Sequence, residues 1–352
     1  MFNPKRLDLA RKRRRYTARI LAERAGIAPV TLSRVSNSLQ VPDESTVEAL
    51  AKALGFPIEF FFLDDIDPID VKAASFRSLT SMSAKERDAA LAAGSFAFEV
   101  ADWINERFNL PDAELLDLGH ERDPAAAART LRQFWSIGEK PIGNMIKLLE
   151  SKGIRVFSLA ENTKNVDAFS CWRNDEPYVF LNTFKTTERS RFDAAHELAH
   201  MVLHKHGGPQ QGRQAEVEAN AFASAFLMPH ADVVATIPYV TSVDQIVDAK
   251  KRWGVAAVAL AYRLNKMNRI TDWLYVQVNR RYRTKEPDGL PPERSTVWQT
   301  VLRELWKEGV SKNHIAAQLF IPDDELENLL FGLTGETAPP HRQSGKPNLK
   351  AL

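Results

Sequence analysis

The segment His196-Glu197-Leu198-Ala199-His200 places two imidazoles and a carboxylate within five residues. On an α-helix, histidines at i and i+4 lie about 40° apart around the axis and about 6 Å apart along it. Both rings can then reach one divalent ion at bonds of about 2.0–2.1 Å. Glu197 projects to the side of that pair, placed to take a proton from an attacking water rather than to ligate. A centre of this kind needs a third protein ligand and an open fourth position. Glu216 and Glu218 are the candidates. They stand about 200° apart on a helix, so only one can serve, and spacing leaves both open. His204 lies about 12 Å along the helix from His196 and about 80° round, a poor geometry for one tetrahedral ion. It reads as packing at the helix end, with His206 in a loop opened by Gly207-Gly208-Pro209. His120, His230, His314 and His341 have no partner spacing and read as surface or core residues.

The elements that must hold these groups are legible around them. Thr187 to about His204 reads as a helix with Phe192, Ala195, Ala199, Val202 and Leu203 on its inner side. Gln214 to Pro229 reads as a second amphipathic helix that proline ends. Ahead of both, residues 154–159, 168–172 and 177–182 have the β-branched and aromatic content of strands. Strands followed by a helix that carries the chemistry predict an α+β catalytic domain. A substrate strand is expected to pair with an edge of that sheet, the strand at 177–182 being the candidate.

With 352 residues the chain is too long for one ordinary core. Hydrophobic residues at 44% and charged residues at 26% predict a globular protein, with no apolar run long enough to span a membrane. The start, Met1 to Arg6, leads into a charged stretch without an apolar h-region, so no secretory signal is expected. Cys171 is the only cysteine, which excludes an internal disulfide and multi-cysteine zinc clusters and fits a reducing cytoplasm. Up to Arg34 there are ten lysines and arginines against Asp8 and Glu23, a net of +8. The rest of the chain carries −6, so the head is expected to meet a polyanion.

That head reads as short helices. Ile20, Leu21 and Ala25 belong to one that Gly26 stops, and Pro29 opens the next. Val47, Leu50, Ala51 and Leu54 form a further amphipathic helix ending at Gly55. Residues 21–35 and 46–55, Leu21-Ala22-Glu23-Arg24-Ala25-Gly26-Ile27-Ala28-Pro29-Val30-Thr31-Leu32-Ser33-Arg34-Val35 and Thr46 to Gly55, resemble an XRE-type, phage-repressor-like DNA-binding domain covering about residues 5–63. The resemblance places the recognition helix at Ala28 to Asn37. Pro29, Val30, Thr31, Ser33 and Arg34 would lie at or near the groove of double-stranded DNA, with Arg11, Lys12, Arg13, Arg14, Arg15 and Asn37 available for phosphates. Ala18 departs from the polar residue usual near the start of the second helix.

A second resemblance lies downstream. Asp167-Ala168-Phe169-Ser170, Arg191 to His200 with His204, and Glu216-Val217-Glu218-Ala219-Asn220-Ala221-Phe222-Ala223 with Leu227-Met228-Pro229 look like the ImmA/IrrE family of metallopeptidases, over about residues 150–232. This likeness implies a minimal zincin fold and a divalent metal, zinc or manganese. It also implies the third ligand, the glutamate four positions before Asn220, which is Glu216. Asp193 stands where relatives often carry threonine or a similar small residue.

The expected organisation is α+β and mostly helical. A helix-turn-helix domain occupies 1–65, a helical linker or docking region 66–150, and a zincin-like core 151–232. A helical module follows at 233–334 and a disordered tail at 335–352. Residues 310–326 have helix-turn-helix spacing with few basic groups, which predicts docking or dimerisation, and a homodimer is a possible state. Together the resemblances imply a cytoplasmic or nucleoid regulator, linked to stress response or toxin–antitoxin systems. Its zinc endopeptidase, with Glu197 as the base and His196, His200 and Glu216 as ligands, would cut a partner repressor or antitoxin. The alternative is a regulator that binds metal, a ligand or a partner without turnover.

Overall fold

The computed structural model describes residues 1–69, 75–76, 83–159, 168–205, 212–330 and 332–335. Four helices form the head: α1 (Pro4–Arg13), α2 (Ala18–Ala25), α3 (Pro29–Ser36) and α4 (Glu44–Leu54). Their ends obey local chemistry. The Thr17 hydroxyl caps α2 at the Ile20 amide, and the Asp43 carboxylate caps α4 at Thr46. Gly26 and Gly55 close the same two helices in the left-handed conformation. Leu7, Leu21, Leu32, Val35 and Leu50 fill the small core between them. A 3₁₀ turn at Ile58–Phe62 adds Phe60 and Phe61.

After the two-residue strand β1 (Ser75–Phe76) comes α5 (Ala84–Asn105), opened by a capping box between Ser83 and Glu86. From Ala89 to Ile104 nearly every residue of α5 is buried, because it lies between the head and the sheet. Its Arg6 partner on the head side is Glu99, at 2.6 Å, and on the sheet side Phe98 meets Tyr178 at 4.7 Å between ring centres. Gly94 permits the close approach. A Cβ there would sit 2.3 Å from the Ile69 side chain and 3.3 Å from the Phe180 ring.

Helices α6 (Pro124–Phe134) and α7 (Met145–Ser151) lead into β2 (Arg155–Ser158), β3 (Phe169–Arg173) and β4 (Glu176–Leu181). The sheet order is β1-β3-β4-β2, with β1/β3 and β3/β4 antiparallel and β4/β2 parallel. Asn174 and Asp175, both at positive φ, make the tight β3–β4 turn. Alternation along the strands sends Phe169 and Phe180 toward α5, and Ser170 toward the opposite face. Covering that opposite face is α8 (Thr187–Leu203), against which α9 (Arg213–Leu227) packs.

The strand at 177–182 is therefore not a free edge. It is β4, paired on both sides, and a substrate strand cannot add to it as expected. The outer edge of β2 is covered where the Trp298 indole donates to the Val156 carbonyl at 2.8 Å, and β3 is paired with Ser75–Phe76.

The remaining described helices are α10 (His230–Thr236), α11 (Val243–Trp253), α12 (Ala257–Lys266), α13 (Asp272–Tyr282), α14 (Thr296–Lys307), α15 (Lys312–Gln318) and α16 (Asp323–Leu330). Buried charge pins this part to α8. Lys250 lies 3.2 Å from Glu188 and 3.0 Å from Glu286, and Arg191 pairs with Glu293. The tail expected to be disordered lies, apart from Gly335, outside the described residues, as do Asp167, His206 and His341.

Candidate metal centre and nucleic-acid interface

Helix α8 runs with His196, Glu197 and most of its other residues buried between the sheet and α9. His196 and His200 sit one turn apart on it and face Glu216 in the first turn of α9. The two Nε2 atoms are 3.1 Å apart. The Glu216 carboxylate reaches His196 Nε2 at 3.3 Å and His200 Nε2 at 3.6 Å. Donors on a tetrahedron with bonds of about 2.0–2.1 Å stand about 3.3–3.4 Å apart along its edges. The two nitrogens and the carboxylate stand 3.1–3.6 Å apart, with one carboxylate oxygen toward His196 and the other toward His200, so the residues present fit a small divalent ion. Among the described residues this is the one group of three or more such side chains converging in this way.

The electrostatics agree with ligation. Burial holds the His200 imidazole below its usual pKa, against the pull of Glu216, which keeps a lone pair free. Burial alone would raise the Glu216 carboxyl, but the His196 and His200 imidazoles that face it outweigh burial and bring it down to about 2. Glu197 does not join the set. Its Oε2 accepts from the Ser170 hydroxyl of β3 at 2.8 Å.

Of the two carboxylates that spacing leaves open, Glu216 faces the histidine pair. Glu218 points elsewhere, to His204. That histidine does more than pack at the helix end, because its Nδ1 lies 3.0 Å from His200 Nδ1 and its Nε2 lies 3.2 Å from Glu218. Asp193, the departure from the family pattern, is held by Lys185 at 2.6 Å, on the first half of α8. In the sequence Ser170 stands out only as part of the segment Asp167-Ala168-Phe169-Ser170. The signal available for it was strand alternation, which puts a lone hydroxyl on the face turned to α8.

The head divides the expected DNA contacts into two groups. Pro29, Val30, Ser33, Arg34 and Asn37 are exposed and Thr31 half-buried, on one open face of α3. Arg34 forms no ion pair among the described residues. The basic run at the end of α1 faces the other way. Arg11 is taken by Asp8 and by the Tyr16 carbonyl at 2.9 Å. Arg13 meets Glu325 of α16 at 2.5 Å. Arg14 donates to the Leu54 carbonyl at 2.8 Å and meets Asp324 and Glu325, each at 2.9 Å. Arg15 is half-buried beside them. In this arrangement Arg13 and Arg14 are engaged by carboxylates of α16, the buried Glu325 and the exposed Asp324, rather than open to phosphates. The signal for this in the sequence was the complementary run Asp323-Asp324-Glu325.

A four-helix head with an open third helix, beside a sheet-and-helix domain with convergent histidines and a glutamate, defines a helix-turn-helix protein carrying a metallopeptidase-like domain. The comparisons with known families agree. Residues 5–59 match the model of a helix-turn-helix domain, and residues 149–265 match that of the IrrE N-terminal-like domain, a peptidase family. No curated protein matches the chain. The chain thus joins a helix-turn-helix domain to an IrrE N-terminal-like domain, and the second match runs past residue 232 to include α10, α11 and most of α12.

Proposed function

We propose that this protein is a DNA-binding regulator whose metallopeptidase domain cuts a partner repressor or antitoxin protein. The observation that carries the reading is the convergence of His196, His200 and Glu216, with Glu197 held beside them by Ser170. His196, His200 and Glu216 would hold zinc, with manganese as the alternative. When bound, the ion supplies Lewis-acid polarisation of a peptide carbonyl and acidifies water. Glu197 serves as the general base, taking the proton of the attacking water and passing it to the leaving amine. Ser170 orients that carboxylate. The exposed face of α3, with Arg34 and Asn37, is the surface offered to double-stranded DNA. A DNA-bound regulator of this kind acts in the cytoplasm or nucleoid.

The test compares wild type with Glu197→Gln, each loaded with zinc and co-expressed with the products of adjoining genes. The expected result is a defined cut seen only in wild type, by intact mass. Metal in both forms and no cut under any stress tested would favour the regulator that binds without turnover.

A further inference from the structure

Helix α9 sends two carboxylates to α8, and only one of them meets the histidine pair. The other, Glu218, ends a continuous chain of hydrogen-bond distances. Gln214 Nε2 donates to Glu218 Oε1 at 2.8 Å, Glu218 Oε2 lies 3.2 Å from His204 Nε2, and His204 Nδ1 lies 3.0 Å from His200 Nδ1. Proton counting gives this chain one direction. Glu218 as a carboxylate only accepts, so His204 Nε2 carries a proton. In a neutral ring His204 Nδ1 is then an acceptor, and the proton between the two Nδ1 atoms belongs to His200. That leaves His200 Nε2 as a lone pair, and Nε2 is the atom facing His196 and Glu216. His196 has no such support, since its buried Nδ1 has no hydrogen-bond partner among the described residues.

We propose that His204 and Glu218 are positioning residues that lock the tautomer and ring orientation of His200 for metal. The proposal rests on the ligand set assigned above. It adds a directional division of labour between the histidines, in which His200 Nδ1 has an outer hydrogen-bond partner and His196 Nδ1 has none among the described residues. Outer partners of ligating histidines raise ligand basicity and reduce the ordering needed on binding, and their loss typically costs about 10–100-fold in metal affinity.

The experiment measures zinc affinity by competition with a chromophoric chelator for the full chain and for His204→Ala, Glu218→Ala and the double variant. Each single variant is expected to lose about 10–100-fold in affinity. The double variant is expected to lose no more than the worse single, because the two residues act as one chain. Glu218 is partly exposed, so its variant is expected to fold even where His204→Ala does not. Histidine ¹⁵N shifts of the metal-free protein supply a readout that general destabilisation would not move. The Nδ1–H tautomer of His200 is expected to dominate in wild type and to mix with the other in Glu218→Ala. Affinities within about twofold of wild type, additive losses, or an unchanged tautomer would overturn the proposal while leaving the ligand set intact. Failure of wild type to bind zinc, or unchanged binding by Glu216→Ala, would instead overturn the ligand set, and the proposal with it.

Discussion

Two carboxylates two positions apart on α9 have unlike fates, and the difference is one of angle. A helix turns about 200° over two residues, so Glu216 meets the histidine pair and Glu218 meets His204. The sequence already shows that both cannot ligate. Which one does depends on how α9 packs against α8, a non-local fact that spacing within one helix does not contain. Ser170 is of the same kind, a lone hydroxyl aimed at Glu197 from a different element. Ser170→Ala is expected to lower turnover by about tenfold or more while zinc is retained, because it frees the orientation of the base without touching a ligand. Steady-state kinetics with metal analysis on the same sample checks this, and loss of zinc in parallel would count against it. Cys171, next along β3, is buried, and burial with the nearby Glu197 carboxylate pushes its thiol up to about 12. Iodoacetamide at pH 8 is expected to leave it unmodified in the native protein and to label it fully after unfolding. Rapid native labelling, read by mass, would contradict the buried site.

Local chemistry marks most elements well. Gly26, Gly55 and Pro29 bound the head helices where the sequence places them, and the structure adds the caps at Thr17 and Asp43. Three strands and both helices of the metal centre also fall close to their expected limits. The long helix α5 is harder to read, for a physical reason. It is buried on nearly all sides, so it has no polar face and no amphipathic period to detect. Strand order was likewise out of reach, because pairing is set between segments rather than within them, and β4 proves to be interior. What anchors α8 is equally non-local. Lys250, Glu188 and Glu286 are all buried and drawn from α11, α8 and the connection after α13. Lys250→Met would leave two buried carboxylates without their cation. The expected cost is about 3–5 kcal/mol, seen as a lower urea midpoint for the domain. A midpoint within error of wild type would show that the triad does not hold α8.

Taken as one body, the chain spends part of its basic head on itself. A net of +8 up to Arg34 suggests a broad phosphate-binding surface, yet Arg13 and Arg14 end on α16, whose Glu325 is buried. Through Glu325, α16 meets the head, and it also packs against β2 of the sheet. Head and metal domain are thus tied through both α5 and α16. DNA affinity measured against salt separates the two sets of arginines. Arg34→Ala is expected to reduce the slope of log K against log salt by about 1, as for a lost phosphate contact. Arg13→Ala is expected to leave that slope unchanged and to destabilise the fold, because Glu325 loses a partner. An equal fall in slope for both would mean that α16 releases Arg13 to DNA. Function at this site turns on the metal centre, and zinc content per chain tests it most directly. Wild type and Glu197→Gln, purified in the same way, are each expected to carry about one zinc, and Glu216→Ala close to none. No zinc in wild type, or full zinc in Glu216→Ala, would contradict the assignment of the site.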